Sequence, residues 1–220
     1  MTSRHPSSSS RKSSAATGQA PGRAAAQEVR IIGGQWRRSK LPVARVEGLR
    51  PTPDRVRETL FNWLGQELSG WRCLDAFAGT GALGFEAASR GAAEVVLLER
   101  DALALRALQE TQARLAASQV RIERADALVW LSGRAVPRFD LVLLDPPFSA
   151  DLLDRALVLV PGWLTAGGLV YAESALPLDA AALRRGGWAL RRQGRAGNVH
   201  YHLLAREADA PEVAAAKTMP

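Results

Sequence analysis

From residue 72 onward the chain alternates between two kinds of segment. CLDAF (73–77), EVVLLE (94–99), VRIER (120–124), DLVLLD (140–145) and GLVYAE (168–173) are short and mostly apolar, and longer helix-forming stretches separate several of them. Short apolar runs read as strands buried on both faces. Helical crossovers between such strands force parallel pairing and cover both sides of the sheet. GALGFEAASRG, ending at Gly91, and DALALRALQETQARLAAS supply two of these helices. The segment WALRRQGRAGNVHYHLLAR behaves differently: two strand-like runs split by Gly194 and Gly197 predict an antiparallel hairpin at the sheet edge. The expected architecture is an open α/β sandwich with a mostly parallel sheet. Its ligands should sit at the carboxyl ends of the strands, near the switch in strand order.

The N-terminal side carries a different signal. VRIIGG (29–34) and the stretch to Val43 predict a short hairpin bearing Trp36 and several arginines. A helix follows in RPTPDRVRETLFNWL, with Thr52 as its expected N-cap, Pro53 at the first helical position and Asp54 complementing the dipole. Val56, Leu60, Trp63 and Leu64 share its inward face, while Arg55 and Glu58 point elsewhere. The chain thus divides into a tail (1–28), a basic hairpin-and-helix arm (29–66), a catalytic domain (67–206) and a second tail (207–220). Residues 1–27, rich in Ser, Ala, Gly, Pro and Arg, contain no acid and no aromatic, and read as disordered. An organellar transit peptide shares that composition, although the serine run spoils a continuous amphipathic helix.

Charge sharpens the division. The formal net charge is +7, of which residues 1–28 contribute +3, residues 29–57 contribute +6 and residues 58–220 contribute −2. The basic character therefore belongs to the arm, which suggests a surface for a polyanion; a merely solvated segment is the bland alternative. Trp36, Arg37, Arg38, Lys40, Arg50 and Arg55 are the candidate contacts to that polyanion, with Trp36 as a stacking surface should it be a nucleic acid. No run approaches the length of a membrane span. Cys73 is the sole cysteine, so no intrachain disulfide forms, and a reducing, cytoplasmic setting is expected. His5, His200 and His202 are not arranged with carboxylates as a metal site requires, and no metal is expected.

The first strand ends in Asp75-Ala-Phe77-Ala-Gly79-Thr-Gly81-Ala-Leu-Gly84, and Glu99 follows Gly79 by 20 residues, at the end of the second strand. Gly79 to Gly84 spell the dinucleotide fingerprint, so a nicotinamide oxidoreductase stays open on the glycines alone. Asp75 favours another ligand. A carboxylate at the mouth of the turn repels a pyrophosphate but suits the ammonium of a bound amino acid, such as the methionine end of S-adenosylmethionine. The glycines let backbone approach that ligand, and Glu99 can accept from both ribose hydroxyls. Asp126 and Ala127, just after the third strand, can read the adenine edge, although helix capping explains Asp126 equally well.

The fourth strand ends in Asp145-Pro146-Pro147-Phe148. Two prolines fix the backbone and remove two N–H donors, leaving carbonyls and the Asp145 carboxylate as acceptors. An exocyclic amine on a base needs this arrangement. Its lone pair is delocalised into the ring, and acceptors gripping the NH₂ hydrogens pull the nitrogen toward a pyramidal, nucleophilic geometry. Phe148 offers a ring for the base to stack on. Catalysis then consists mainly of positioning for in-line displacement. Guanine N2 and adenine N6 are both such amines, so a DNA adenine methyltransferase stays open, as does a binding module that merely senses the cofactor.

Asp75-Ala-Phe-Ala-Gly-Thr-Gly, Asp145-Pro-Pro-Phe and the arm RIIGGQWRRSKLPV…LRPTPDRVRETLFNWL together resemble the bacterial 16S ribosomal RNA guanine-N2 methyltransferase family (RsmD type) over about residues 29–206. The arginine-rich helix start is the part most particular to that family. DNA adenine and protein glutamine N-methyltransferases share the other two motifs. The resemblance implies a Rossmann-like class I methyltransferase sandwich. It also implies a monomeric enzyme that uses S-adenosylmethionine on one guanine of small-subunit RNA, within an assembling ribosomal particle. By that resemblance Asp75, Gly79 and Glu99 serve the cofactor, and Asp145 through Phe148 serve the target base.

Overall fold

The computed structural model describes residues 1–2, 28–44, 52–148 and 151–209. The expected tail at 3–27, Arg45, Arg50 and residues 210–220 lie outside the described residues. Two short strands, β1 (Glu28–Arg30) and β2 (Lys40–Pro42), pair antiparallel as the arm hairpin. Helix α1 (Asp54–Trp63) follows. The sheet then forms from β3 (Arg72–Asp75), β4 (Glu94–Glu99), β5 (Val120–Arg124), β6 (Phe139–Leu144), β7 (Leu164–Ser174), β8 (Trp188–Ala196) and β9 (Val199–Arg206). Its order is β5-β4-β3-β6-β7-β9-β8. The first five strands in that order are parallel, and β9 runs antiparallel to both of its neighbours. Strand order reverses between β3 and β6, which is where an open α/β sheet offers a crevice.

Helices cover both faces. Helix α2 (Ala82–Ser89) and helix α3 (Ala102–Leu115) join α1 and the arm on one side. Helices α4 (Ala127–Leu131), α5 (Leu152–Leu159) and α6 (Ala180–Arg185) pack on the other. Those last three escape the periodicity argument because five to eight residues hold only one or two helical turns. Asp101 caps α3 by accepting from Leu103 and Ala104 N–H, which fixes where the chain turns back after β4. Gly194 lies inside β8 rather than at the hairpin turn, because a Cβ there would meet the Tyr201 ring at 2.4 Å; Gly197 makes the turn alone.

The arm is not a separate body. Val29, Ile31, Trp36 and Leu41 share one apolar core with Val56, Leu60, Phe61 and the strands beneath. Its attachment centres on Glu86, fully buried in α2. Glu86 accepts from Ile32 and Gly33 N–H at 2.7 Å each, from Arg57 Nη1 at 3.3 Å and from Arg90 Nε at 2.9 Å. Ser89 adds two bonds, accepting from Trp36 N–H at 2.9 Å and donating to Gly33 O at 2.6 Å. Gly34 has φ +71°, and a Cβ there would lie 1.8 Å from Ser89 O, so glycine is required at this close approach. A lone charge buried this deeply would cost several kcal/mol, and the pairing of one acid with two guanidinia offsets it. Within the expected second tail, residues 207–209 form a short turn in which Asp209 pairs with Arg206 at 2.8 Å. Among the described residues no helix is long and apolar enough to cross a membrane.

Candidate active site

Parallel strands bring their carboxyl ends to one edge, and four neighbouring strands each place an acid there. Glu99 ends β4, Asp75 ends β3, Asp145 follows β6 and Glu173 lies at the end of β7. These strands are consecutive in the sheet, so the four carboxylates form a row along the crevice.

Asp75 is buried beneath the glycine turn. Its Oδ2 accepts from Gly84 N–H at 3.0 Å, whereas Oδ1 is buried without a hydrogen-bond partner. Burial, then the charge of Asp145, push its pKa up to about 7. Gly81 takes φ +73° at the start of α2, and a Cβ on Gly84 would sit 2.2 Å from Leu97 Cδ2. The turn therefore closes tightly over the acid. Glu99 accepts from Gly79 N–H at 2.9 Å and from Asp101 N–H at 2.8 Å, so it also holds the shape of the loop. Phe77 is half-buried on the same loop. Asp126 caps α4: its Oδ1 accepts from Leu128 and Val129 N–H at 3.0 and 3.1 Å, and its Oδ2 faces Arg100 at 3.8 Å. Ala127 is buried behind it.

An orphaned buried carboxylate oxygen needs a donor. The ammonium of an amino acid supplies one, and the glycine turn leaves no side chain to obstruct its approach. The residues present therefore fit the methionine end of S-adenosylmethionine. A pyrophosphate does not fit, because a row of four carboxylates repels it.

At the second motif, Thr52 Oγ1 donates to Asp145 Oδ2 at 3.0 Å. Burial raises the Asp145 pKa to about 6, opposed by the Thr52 bond. Glu173 accepts from the Tyr171 hydroxyl at 2.8 Å. Its pKa is pushed up to about 8 by burial and then by the Asp145 charge. Pro146 is buried and Pro147 exposed, and the Phe148 ring is 50% exposed at the rim.

Thr52 was expected to cap α1. The residue before the helix is instead Pro53, with no side-chain cap, and the Thr52 hydroxyl turns to Asp145 because a half-buried carboxylate is a strong, charged acceptor. Trp36 was expected to stack on RNA. It is only 8% exposed and packs in the core, so it offers no such surface. Arg57 is likewise consumed by Asp54 and Glu86. Arg37, Arg38, Lys40 and Arg55 remain on the surface. The hairpin tip is pinned to Ser89, at the end of α2 opposite the glycine turn, so Arg37 and Arg38 lie away from the carboxylate row. Residues that the motifs did not single out are Thr52 as an Asp145 partner, Glu173, Tyr171 and Glu86. Two of them carried a signal: Glu173 ends its strand as Asp145 does, and Glu86 is the only charge inside an apolar helix.

Residues 29–205 match the family described as Conserved hypothetical protein 95. The ribosomal RNA small subunit methyltransferase D of Escherichia coli (strain K12) is 43% identical over 190 residues, covering 86% of this chain and 95% of that protein. Its namesake in Haemophilus influenzae is 42% identical over 181 residues, covering 80% of this chain and 93% of the relative. The solved structure of the Escherichia coli protein yhhF superimposes with a TM-score of 0.72 at 42% identity, covering 83% of this chain and 99% of that one. With the motifs, the fold and the site all pointing the same way, the chain belongs to the family of the ribosomal RNA small subunit methyltransferase D.

Proposed function

We propose that this protein transfers the methyl group of S-adenosylmethionine to the exocyclic N2 amine of a guanine in small-subunit ribosomal RNA. The observation that carries the reading is the row of Glu99, Asp75, Asp145 and Glu173 at the ends of four adjacent strands. Such a row attracts a cationic cofactor and presents acceptors to an amine. The small-subunit RNA and the guanine come from the family relationship, and so does a cytoplasmic setting, which cell fractionation checks.

When bound, the cofactor supplies an electrophilic methyl group on a cationic sulfur. Asp75 Oδ1 would receive its ammonium, and Gly79, Gly81 and Phe77 would line its approach. Glu99 would accept from the ribose hydroxyls through lone pairs not used by the Gly79 and Asp101 N–H groups, and Asp126 and Ala127 would border the adenine. Asp145 would grip the target amine. Thr52 holds its Oδ2, which leaves Oδ1 to accept an amine hydrogen and aim the nitrogen lone pair. Pro146 and Pro147 present carbonyls with no competing N–H, and Phe148 stacks on the base. The amine proton becomes acidic once the nitrogen carries the methyl, and Asp145 can take it up at Oδ1 and pass it to water. Positioning and electrostatics therefore do most of the catalysis. Arg37, Arg38, Lys40 and Arg55 on the arm would contact RNA phosphates.

Titration calorimetry with Asp145→Ala and Glu99→Ala tests the division of labour. The first should abolish methyl transfer with cofactor affinity nearly intact, and the second should mainly weaken cofactor binding. Binding of NAD with no response to S-adenosylmethionine would overturn the reading.

A further inference from the structure

The −2 carried by residues 58–220 conceals two opposite halves. Residues 58–179 hold ten basic and sixteen acidic side chains, whereas residues 180–206 hold six arginines and no acid at all. That acid-free stretch is α6, β8 and β9. Strand β8 is the outer edge of the sheet, and Arg191, Arg192 and Arg195 along it are exposed, as are Arg184 and Arg185 at the end of α6. Arg206 is spoken for by Asp209, but among the described residues the other five form no salt bridge; Arg191 and Arg195 donate only to the carbonyls of Asp209 and Gly197.

Register sets the direction of this row. Arg195 pairs with His200, and His200 pairs with Ser174, the residue after Glu173. Arg195 therefore stands at the same edge of the sheet as the carboxylate row. Arg192 lies further down the strand, opposite Leu203, and α6 leads into the strand's beginning through Gly186 and Gly187. The guanidinia climb the outer edge and end beside the catalytic rim. The arm tip, by contrast, is held at the far end of α2.

We propose that the arginine row along α6 and β8 is a docking track for the phosphate backbone of the substrate RNA, delivering the strand to Asp145 and Phe148. This rests on the ribosomal RNA reading of the site. Arginine matches phosphate in geometry as well as charge. Charges on an edge strand also deter unwanted strand pairing, yet that role asks nothing of α6 and does not require acids to be missing from the whole segment. A carboxylate-lined crevice repels RNA, so a flanking cationic track is what would hold a phosphate chain against it.

The test is a salt series of RNA binding and steady-state methylation on small-subunit RNA, both naked and within ribosomal particles from cells lacking the enzyme. It compares the wild-type chain, the quadruple variant Arg184→Gln, Arg185→Gln, Arg192→Gln and Arg195→Gln, and a control triple variant Arg106→Gln, Arg134→Gln and Arg155→Gln. Each lost phosphate contact removes about 0.7 from the slope of log affinity against log salt. The quadruple variant should therefore flatten the slope by about 2 or more and raise KM for RNA at least tenfold near physiological salt. Its cofactor affinity, melting temperature and kcat at saturating RNA should match wild type, and the control should resemble wild type throughout. An unchanged slope and KM in a variant whose wild-type parent methylates the RNA would overturn the track. So would a defect confined to protein-containing particles, which would mark the row as a protein-binding surface. A wild-type chain that methylates neither the naked RNA nor the particles would instead bring down the ribosomal RNA reading itself.

Discussion

The Thr52 hydroxyl donates to Asp145 Oδ2 across 3.0 Å and 93 residues of sequence, joining the arm to the carboxylate proposed to grip the target base. The bond holds one oxygen in place and favours the ionised form, against the burial that drives the Asp145 pKa up to about 6. Thr52→Val removes the donor at nearly constant volume. The carboxylate then holds its proton more tightly, so the acid limb of the kcat profile should move to higher pH by about one unit, since a hydrogen bond to a charged group contributes about 1.5–3 kcal/mol. Cofactor affinity should not change. A pH–rate profile that superimposes on wild type would remove Thr52 from the site.

Asp75, Asp145 and Glu173 all have pKa values raised by burial, to about 7, 6 and 8. Unfolded, each titrates near 4. Between those limits the folded chain binds more protons than the unfolded one, so stability falls as pH rises from about 4 to about 8. The melting temperature of the ligand-free protein should therefore decline over that range. A cofactor whose ammonium meets Asp75 favours the ionised acid, so the stabilisation it confers should be larger at pH 8 than at pH 5. Differential scanning fluorimetry with and without S-adenosylmethionine reads both trends, and a melting temperature that climbs steadily to pH 8 in the ligand-free protein would contradict them.

Much of this was legible in the residues. EVVLLE and VRIER occupy β4 and β5 residue for residue, because an uninterrupted short run bounded by helix caps leaves little choice of boundary. The glycine turn and the Asp145 motif come to neighbouring strands as their positions after the first and fourth strands imply. What could not be read was pairing at long range. Thr52 has the local features of an N-cap, and only the folded chain brings Asp145 beside it. Trp36 sits among arginines and looks exposed, yet it folds inward because Ser89 and Glu86 draw the hairpin loop onto α2. The charge average over 58–220 hid an acid-free edge, since opposite excesses cancel when summed along a chain rather than mapped on a surface.

Glu86 should prove to be the keystone of the arm. Glu86→Ala leaves the buried Arg57 with only the exposed Asp54 as a charge partner, and strips acceptors from Arg90 and from the Ile32 and Gly33 N–H groups. Removing one partner of a buried pair costs about 3–5 kcal/mol. Chemical denaturation should register that loss, and limited proteolysis should cut within residues 28–44 far faster than in wild type. A variant of unchanged stability would mean that the apolar contacts of Val29, Ile31 and Leu41 hold the arm alone.

Phe148 is half exposed at the rim beside Asp145, so part of its ring is open to a stacking partner. Stacking of a base on an aromatic side chain contributes about 1–3 kcal/mol. Phe148→Ala should accordingly lower kcat/KM for RNA by about tenfold to a hundredfold, with melting temperature and cofactor affinity preserved, and Phe148→Tyr should recover most of the loss. Equal activity in the alanine variant would show that the base stacks elsewhere.

Asp145 and its neighbours are proposed to present the N2 amine of a guanine to the methyl donor, and the identity of the methylated nucleoside tests this most directly. Small-subunit RNA from cells lacking the enzyme, incubated with the protein and S-adenosylmethionine bearing a deuterated methyl group, can be digested to nucleosides and analysed by mass spectrometry. The label should appear in N2-methylguanosine for the wild-type chain, with no labelled nucleoside for Asp145→Ala. Label in N6-methyladenosine, or no label from the wild-type chain on any form of small-subunit RNA, would contradict it.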